Sequence, residues 1–316
     1  MKVSSGKAVI RRNMKYFFIK QMILAQTVAL KIDEPEFEKL KSSREVLLSA
    51  KAIEEKYDLL VSNFLELEKE ILSQLAQKMI FVQDSYQHFY ELNSILNRRV
   101  VNLLTSTKLY YDQIEKHVRT CMKDQKKFGT EAKSYFSDEY DAHFEYRFME
   151  ALRNHVQHYG LAVHSLSLPS KWVGEGEQKQ LVNQLKIFAT KDELSQDKEF
   201  KKTIFREMPE KVELIKAIRV YVGCFSNVHK RIRELTQANV SSSRSNIEAL
   251  IYRYKEANSG DAIGIYAYMV EADDSTAKPI EKFALFLDWD NVRLHLREKN
   301  HYFPNISQWH ISGSCL

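Results

Sequence analysis

The chain has 316 residues, 44% hydrophobic and 28% charged, with a formal net charge of +5. That length buries a core easily and allows either two domains or one large domain with an appendage. The positive excess is mild and spread along the chain, so it is compatible with nucleic acid without demanding it.

Only 9 Gly and 5 Pro occur, which argues for long helices and few tight turns. The three cysteines, Cys121, Cys224 and Cys315, are far apart and fit no zinc-ligand spacing. Reduced thiols in a cytosolic protein, without cofactor or metal, are the expectation. No stretch is long and apolar enough to span a membrane.

In chain order, residues 1–32 read as a basic amphipathic helix. Lys20 and Gln21 interrupt the apolar run, which argues against a signal peptide. From Phe37 to about Leu92 apolar residues recur at helical spacing, among them Leu47, Tyr57, Leu60 and Phe64. This is one long helix or two with a break, in a bundle rather than a coiled coil.

Asn93 to about Lys127 is a further helix, closed by Gly129. Asp138 to Tyr159 reads as one amphipathic helix, with Ser137 as cap and Gly160 as a left-handed C-terminal cap. The segment 161–168 is extended, residues 171–176 form a loop, and 177–207 read as short polar helices. The mixed-charge run from Lys191 to Lys202 faces water.

Pro209 opens a long helix to about Ala257, with Ser241, Ser242 and Ser243 marking a break. Its later part carries a basic flank of Lys230, Arg231, Arg233, Arg244 and Arg253. After Asn258 the pattern changes. Residues 262–270 and 280–287 look like two strands of a hairpin. A last helix from Val292 to about Asn300 follows, with Asp290 as its N-cap.

The expected fold is therefore mainly α: a helical bundle with long helices, plus a small β-hairpin near the C-terminus. The expected division is a bundle over 1–258 and a small α+β appendage over 259–316.

One stretch carries chemistry: Arg153-Asn154-His155-Val156-Gln157-His158. Helical spacing puts Arg147, Glu150, Arg153, Asn154, Gln157 and His158 on a common polar side. Arginine offers phosphate a planar fork that stays charged, and histidine can move a proton near neutral pH. Among the ten histidines, His158 alone follows an arginine at a spacing of four to six intervening residues with a polar residue after that arginine.

This pattern resembles the signature of HEPN-domain ribonucleases. The local match covers the motif itself, and the wider helical likeness extends over the first two thirds of the chain. The resemblance implies metal-independent RNA cleavage, in which the RNA's own 2′-hydroxyl attacks the adjacent phosphate and leaves a 2′,3′-cyclic phosphate. His158 would transfer protons, Arg153 would stabilise the charged transition state, and Asn154 would orient one of them. Arg147, Gln157, Arg98 and Asn102 are candidates for further contacts to RNA.

The same resemblance implies a homodimer through the motif helix. It also implies a role as a toxin or anti-phage effector restrained by a protein antitoxin or regulator. The alternative is a non-catalytic helical scaffold in which Arg153 and His158 make structural bonds. A plain nucleic-acid-binding regulator ranks last, because no helix-turn-helix or RNP motif is present.

Overall fold

The computed structural model describes residues 14–22, 28–81, 85–260, 262–271 and 273–309. The chain opens with β1 (Tyr16–Gln21) and β2 (Leu30–Ile32), then enters α1 (Glu34–Ile80), a helix of 47 residues. Next come α2 (Tyr86–Cys121), α3 (Lys126–Ala142) and α4 (Phe144–His158). Short strands follow: β3 (Ser165–Ser167), β4 (Ser170–Val173), β5 (Gln180–Asn183) and β6 (Lys186–Thr190).

Two short helices, α5 (Lys191–Ser195) and α6 (Lys202–Glu207), lead to β7 (Lys211–Glu213) and to α7 (Leu214–Ala257), which is 44 residues long. Strands β8 (Ile265–Val270) and β9 (Glu281–Ala284) precede α8 (Asp288–Lys299). The protein is mainly α, as its periodicity predicts. Among the described residues, no helix is long and apolar enough to cross a membrane.

Two compact units are present, residues 1–48 with 237–292 and residues 49–236 with 293–316. The first is built on a four-stranded antiparallel sheet in the order β2-β1-β8-β9. The expected C-terminal hairpin is there, with Ala267 opposite Phe283. It gains a partner from the other end of the chain, since β1 pairs with β8 from Tyr16↔Val270 to Gln21↔Ile265.

Within residues 1–32 the described parts are thus strands, not the expected helix. Tyr16, Phe17, Phe18 and Ile19 are aromatic or β-branched and fit a pleated, half-buried surface. Phe37 fixes the sheet's apolar side, its ring centroid 5.0 Å from that of Phe17 and 5.2 Å from that of Phe283.

In this unit Asp290 lies inside the first turn of α8 rather than capping it. Its carboxylate is fully buried and paired with Arg244 at 2.6 Å. The helix α7 runs unbroken through Ser241, Ser242 and Ser243, because serine costs a helix only a fraction of a kcal/mol, roughly 0.5.

The second unit is a helical bundle. Tyr57, Leu60, Leu96, Leu103, Tyr110, Phe136, Phe148, Leu152, Tyr221 and Phe225 form its core. The first long break falls between α1 and α2, not at Asn93, and Ser85 caps α2 by accepting from the His88 N–H at 3.2 Å. Gly129 does not end a helix. It lies within α3, where an added Cβ would come within 2.8 Å of Glu115 and 2.7 Å of Arg119, so its lack of a side chain lets α3 approach α2.

Residues 171–176 are not simply a loop, and 177–207 are not all helix. β4 and β5 form a hairpin, and Gly174 and Gly176 supply the positive φ of 95° and 57° that its turn needs. β6 lies between β3 and β7 in a three-stranded sheet. The charged stretch from Lys191 to Lys202 does face water, apart from Leu194, Asp197 and Phe200, which turn inward.

Candidate active site

The motif helix is α4, and the segment expected as one helix is two. Backbone at His143 is extended (φ −123°, ψ 119°), so the chain turns between α3 and α4 there. Arg147 holds this corner. Its guanidinium donates to the Tyr140 carbonyl at 2.9 Å and the Asp141 carbonyl at 3.0 Å, and it pairs with Glu207. Cationic donors satisfy helix-end carbonyls well, which gives Arg147 a structural task.

Along α4 the polar residues divide. Arg153 is 8% exposed. Its Nη2 donates to Glu150 at 3.2 Å, while its Nε is buried without a partner among the described residues. The other Glu150 oxygen accepts from the Tyr221 hydroxyl, which lies 3.2 Å from the Thr107 hydroxyl. Burial, then the Glu150 charge, pushes the Tyr221 phenol well up, so it remains a donor. A polar chain thus runs from α4 to α7 and α2.

Asn154, Gln157 and His158 are exposed. Asn154 and His158 stand one helical turn apart, and neither makes a side-chain hydrogen bond among the described residues. Arg98 and Asn102 are likewise exposed, on α2, with no side-chain bond to Arg153, Asn154 or His158 among the described residues.

Three neighbours complete the surroundings of α4, of which the sequence points only to His164, as a neutral loop histidine. His155 is 3% exposed and pairs with Asp197 through Nδ1 at 2.8 Å. Gly160 follows from this. It is not in the left-handed region; a Cβ there would sit 3.0 Å from His155 Nε2, so glycine lets the chain pass close over the imidazole.

The buried Asn97 is the second. Its Oδ1 accepts from the N–H groups of Ala162 and Val163 at 2.9 and 2.8 Å, and its Nδ2 donates to the Val163 carbonyl at 3.2 Å. It fastens the segment leaving α4 onto α2. His164 is the third. It donates from Nε2 to the Leu161 carbonyl at 2.9 Å and accepts at Nδ1 from the Thr190 N–H at 3.0 Å. Both ring nitrogens are engaged as a neutral ring requires, and burial keeps the group below its usual range.

Two further polar clusters lie in this unit. In one, Tyr110 bonds His229 Nδ1 at 2.9 Å, His229 Nε2 meets Glu54 at 3.2 Å, and Arg233 donates to the same carboxylate at 2.9 Å. Tyr57 stacks on the imidazole at 3.7 Å. A cavity of about 320 Å³ lies alongside, lined in part by Tyr57, His229, Lys230 and Arg297.

In the other, Glu139, His143 and Cys224 gather at the α3–α4 corner. Burial, followed by the nearby Glu139 carboxylate, pushes the Cys224 thiol up. Nothing in the spacing of these residues could reveal that they meet, because Cys224 comes from α7.

Comparison with known proteins adds no constraint: no family model, curated protein or solved structure matches the chain.

Proposed function

We propose that this protein is a HEPN-like endoribonuclease that cleaves RNA by 2′-hydroxyl attack without a catalytic metal. It acts as a cytoplasmic homodimer through α4, in a toxin or antiviral role under the restraint of a protein antitoxin or regulator. The observation that carries the reading is the edge of α4. Asn154 and His158 are exposed there, one turn apart and, among the described residues, without side-chain partners, beside an arginine whose Nε is likewise unpaired.

A free imidazole at a helix C-terminus is positioned to exchange protons with a ligand laid along that edge. Arg153 must share or leave Glu150 to reach phosphate, and a planar guanidinium can bridge both. A second copy of α4 would close a cleft that one exposed edge lacks.

The test uses wild-type protein and His158→Ala, each incubated with mixed cellular RNA in EDTA, with folding checked by circular dichroism. The expected outcome is cutting by the wild type alone, with 2′,3′-cyclic phosphate ends, and a loss of about 10²–10⁴-fold in His158→Ala. Equal cutting by both removes His158 from the chemistry and ends this reading.

A second reading is favoured by a different observation. The buried chain Arg153–Glu150–Tyr221–Thr107 is what a non-catalytic helical interaction protein would use to lock its bundle. Absence of cutting by either protein selects it.

A further inference from the structure

We propose that Glu139, His143 and Cys224 form a binding site for a divalent transition-metal ion, with zinc the species they suit best. Their ligand atoms all lie within 4.8 Å of one another. His143 Nε2 is 3.5 Å from Glu139 Oε2, and the Cys224 sulfur lies within 4.8 Å of a carboxylate oxygen of Glu139. Among the described residues this is the one such grouping.

A second observation points to a ligand. Glu139 Oε2 is buried and has no hydrogen-bond partner among the described residues. An unpaired buried acceptor costs about 1–3 kcal/mol, and a carboxylate oxygen facing an imidazole and a thiol is relieved by a cation. The local geometry explains the convergence. Glu139 and His143 are four residues apart at the end of α3, which puts both on one face. Cys224 approaches from α7.

The donor set selects the metal. Thiolate, imidazole and carboxylate together suit zinc and its borderline-soft neighbours, whereas calcium and magnesium take all-oxygen shells. Binding exchanges the Cys224 S–H proton for a sulfur–metal bond and releases that proton to solvent. The site opens onto a cavity of about 310 Å³ lined by His143, Cys224, Glu145, Arg219 and Asn227 among others. A fourth position is therefore reachable by water or a small ligand. The bound ion ties the α3–α4 corner to α7 and fixes the start of the helix bearing Arg153 and His158.

The experiment strips the full-length protein with chelator and titrates it with Co²⁺, then with Zn²⁺ in competition. The expected result is about one cobalt per chain at a tetrahedral site, a thiolate-to-cobalt charge-transfer band, and displacement by zinc. Cys224→Ser should lose the band. His143→Ala should weaken zinc binding by more than the roughly 10–100-fold that loss of an outer-sphere partner costs. His143 is 42% exposed in its side chain, so this variant keeps the fold, which circular dichroism checks.

Zinc should also raise the Tm of the wild type and leave that of Cys224→Ser unchanged. No charge-transfer band in the wild type at saturating cobalt overturns the proposal. So does a band that survives in Cys224→Ser, since another cysteine would then be the ligand. Both readouts are independent of RNA cleavage.

Discussion

Glu54 and Glu139 each set a carboxylate against an imidazole inside the same helical unit, yet their surroundings differ. Glu54 is 4% exposed, and both of its oxygens accept, from His229 and from the two arms of Arg233. Burial alone would push its carboxyl up. The hydrogen bonds from His229 and Arg233 override that and hold it at about 2. Glu139 keeps one buried oxygen without a hydrogen-bond partner among the described residues, 3.5 Å from an imidazole that is partly in water. The carboxylate of the first cluster is saturated, and its partners join α1, α2 and α7. The second is unsaturated, and unsaturated buried polar atoms are where a ligand has something to gain.

The sharpest way to break this comparison is Glu54→Ala. Removing one partner strands Arg233 and His229, and unfolding stability should fall by about 3–5 kcal/mol. Urea denaturation measures it, and a loss below about 1 kcal/mol would show that the cluster does not hold the bundle.

Acid titration comes next. His229 and His117 both have folded-state values lowered, first by burial, with His117 at about 4. The unfolded chain therefore takes up their protons first. Their contribution is complete above about 6.5 and is lost as pH falls below that, for His117 down to about 4. Glu54 adds its own loss from about 4.5 toward 2. Stability should thus begin to fall below pH 6.5, before ordinary carboxylates titrate. Because His117 is partly exposed, His117→Gln should flatten the pH 7 to pH 5 difference by only about 1 kcal/mol. An unchanged slope would rule out this origin.

The smallest effect belongs to Glu139→Gln. Without metal, the change in stability should stay within about 1 kcal/mol, because His143, which pairs with Glu139, is 42% exposed and stays hydrated. The zinc-dependent rise in Tm should vanish in the same variant. A metal-free cost as large as that of Glu54→Ala would erase the distinction between the clusters.

Much of the fold is legible from particular residues. Tyr57, Leu60, Phe64 and Leu67 repeat at helical spacing and are buried, while Leu65 and Leu72 of the same run face solvent. The hairpin was readable from the alternating run around Tyr266 and Tyr268 and the turn residues after it. His143 hid the break in the motif segment, because neither glycine nor proline marks it. The exposure of Asn154 and His158 followed from helical periodicity. The burial of Arg153 did not, because Tyr221 and Thr107, the residues that extend its partner's network, lie on other helices.

The sequence alone determined the long helices of the bundle, because a helix closes its hydrogen bonds within four residues and its apolar spacing is local. It also placed an arginine, an amide and an imidazole together on one helix. Only the tertiary structure decided that the N-terminal segment is a strand, since its partner, Ile265–Val270, lies at the other end of the chain. It alone buried Arg153 while leaving His158 in water, and it alone brought Glu139 and His143 to Cys224. Strand pairing and burial depend on neighbours that are distant in sequence, and no local pattern encodes which of them arrive.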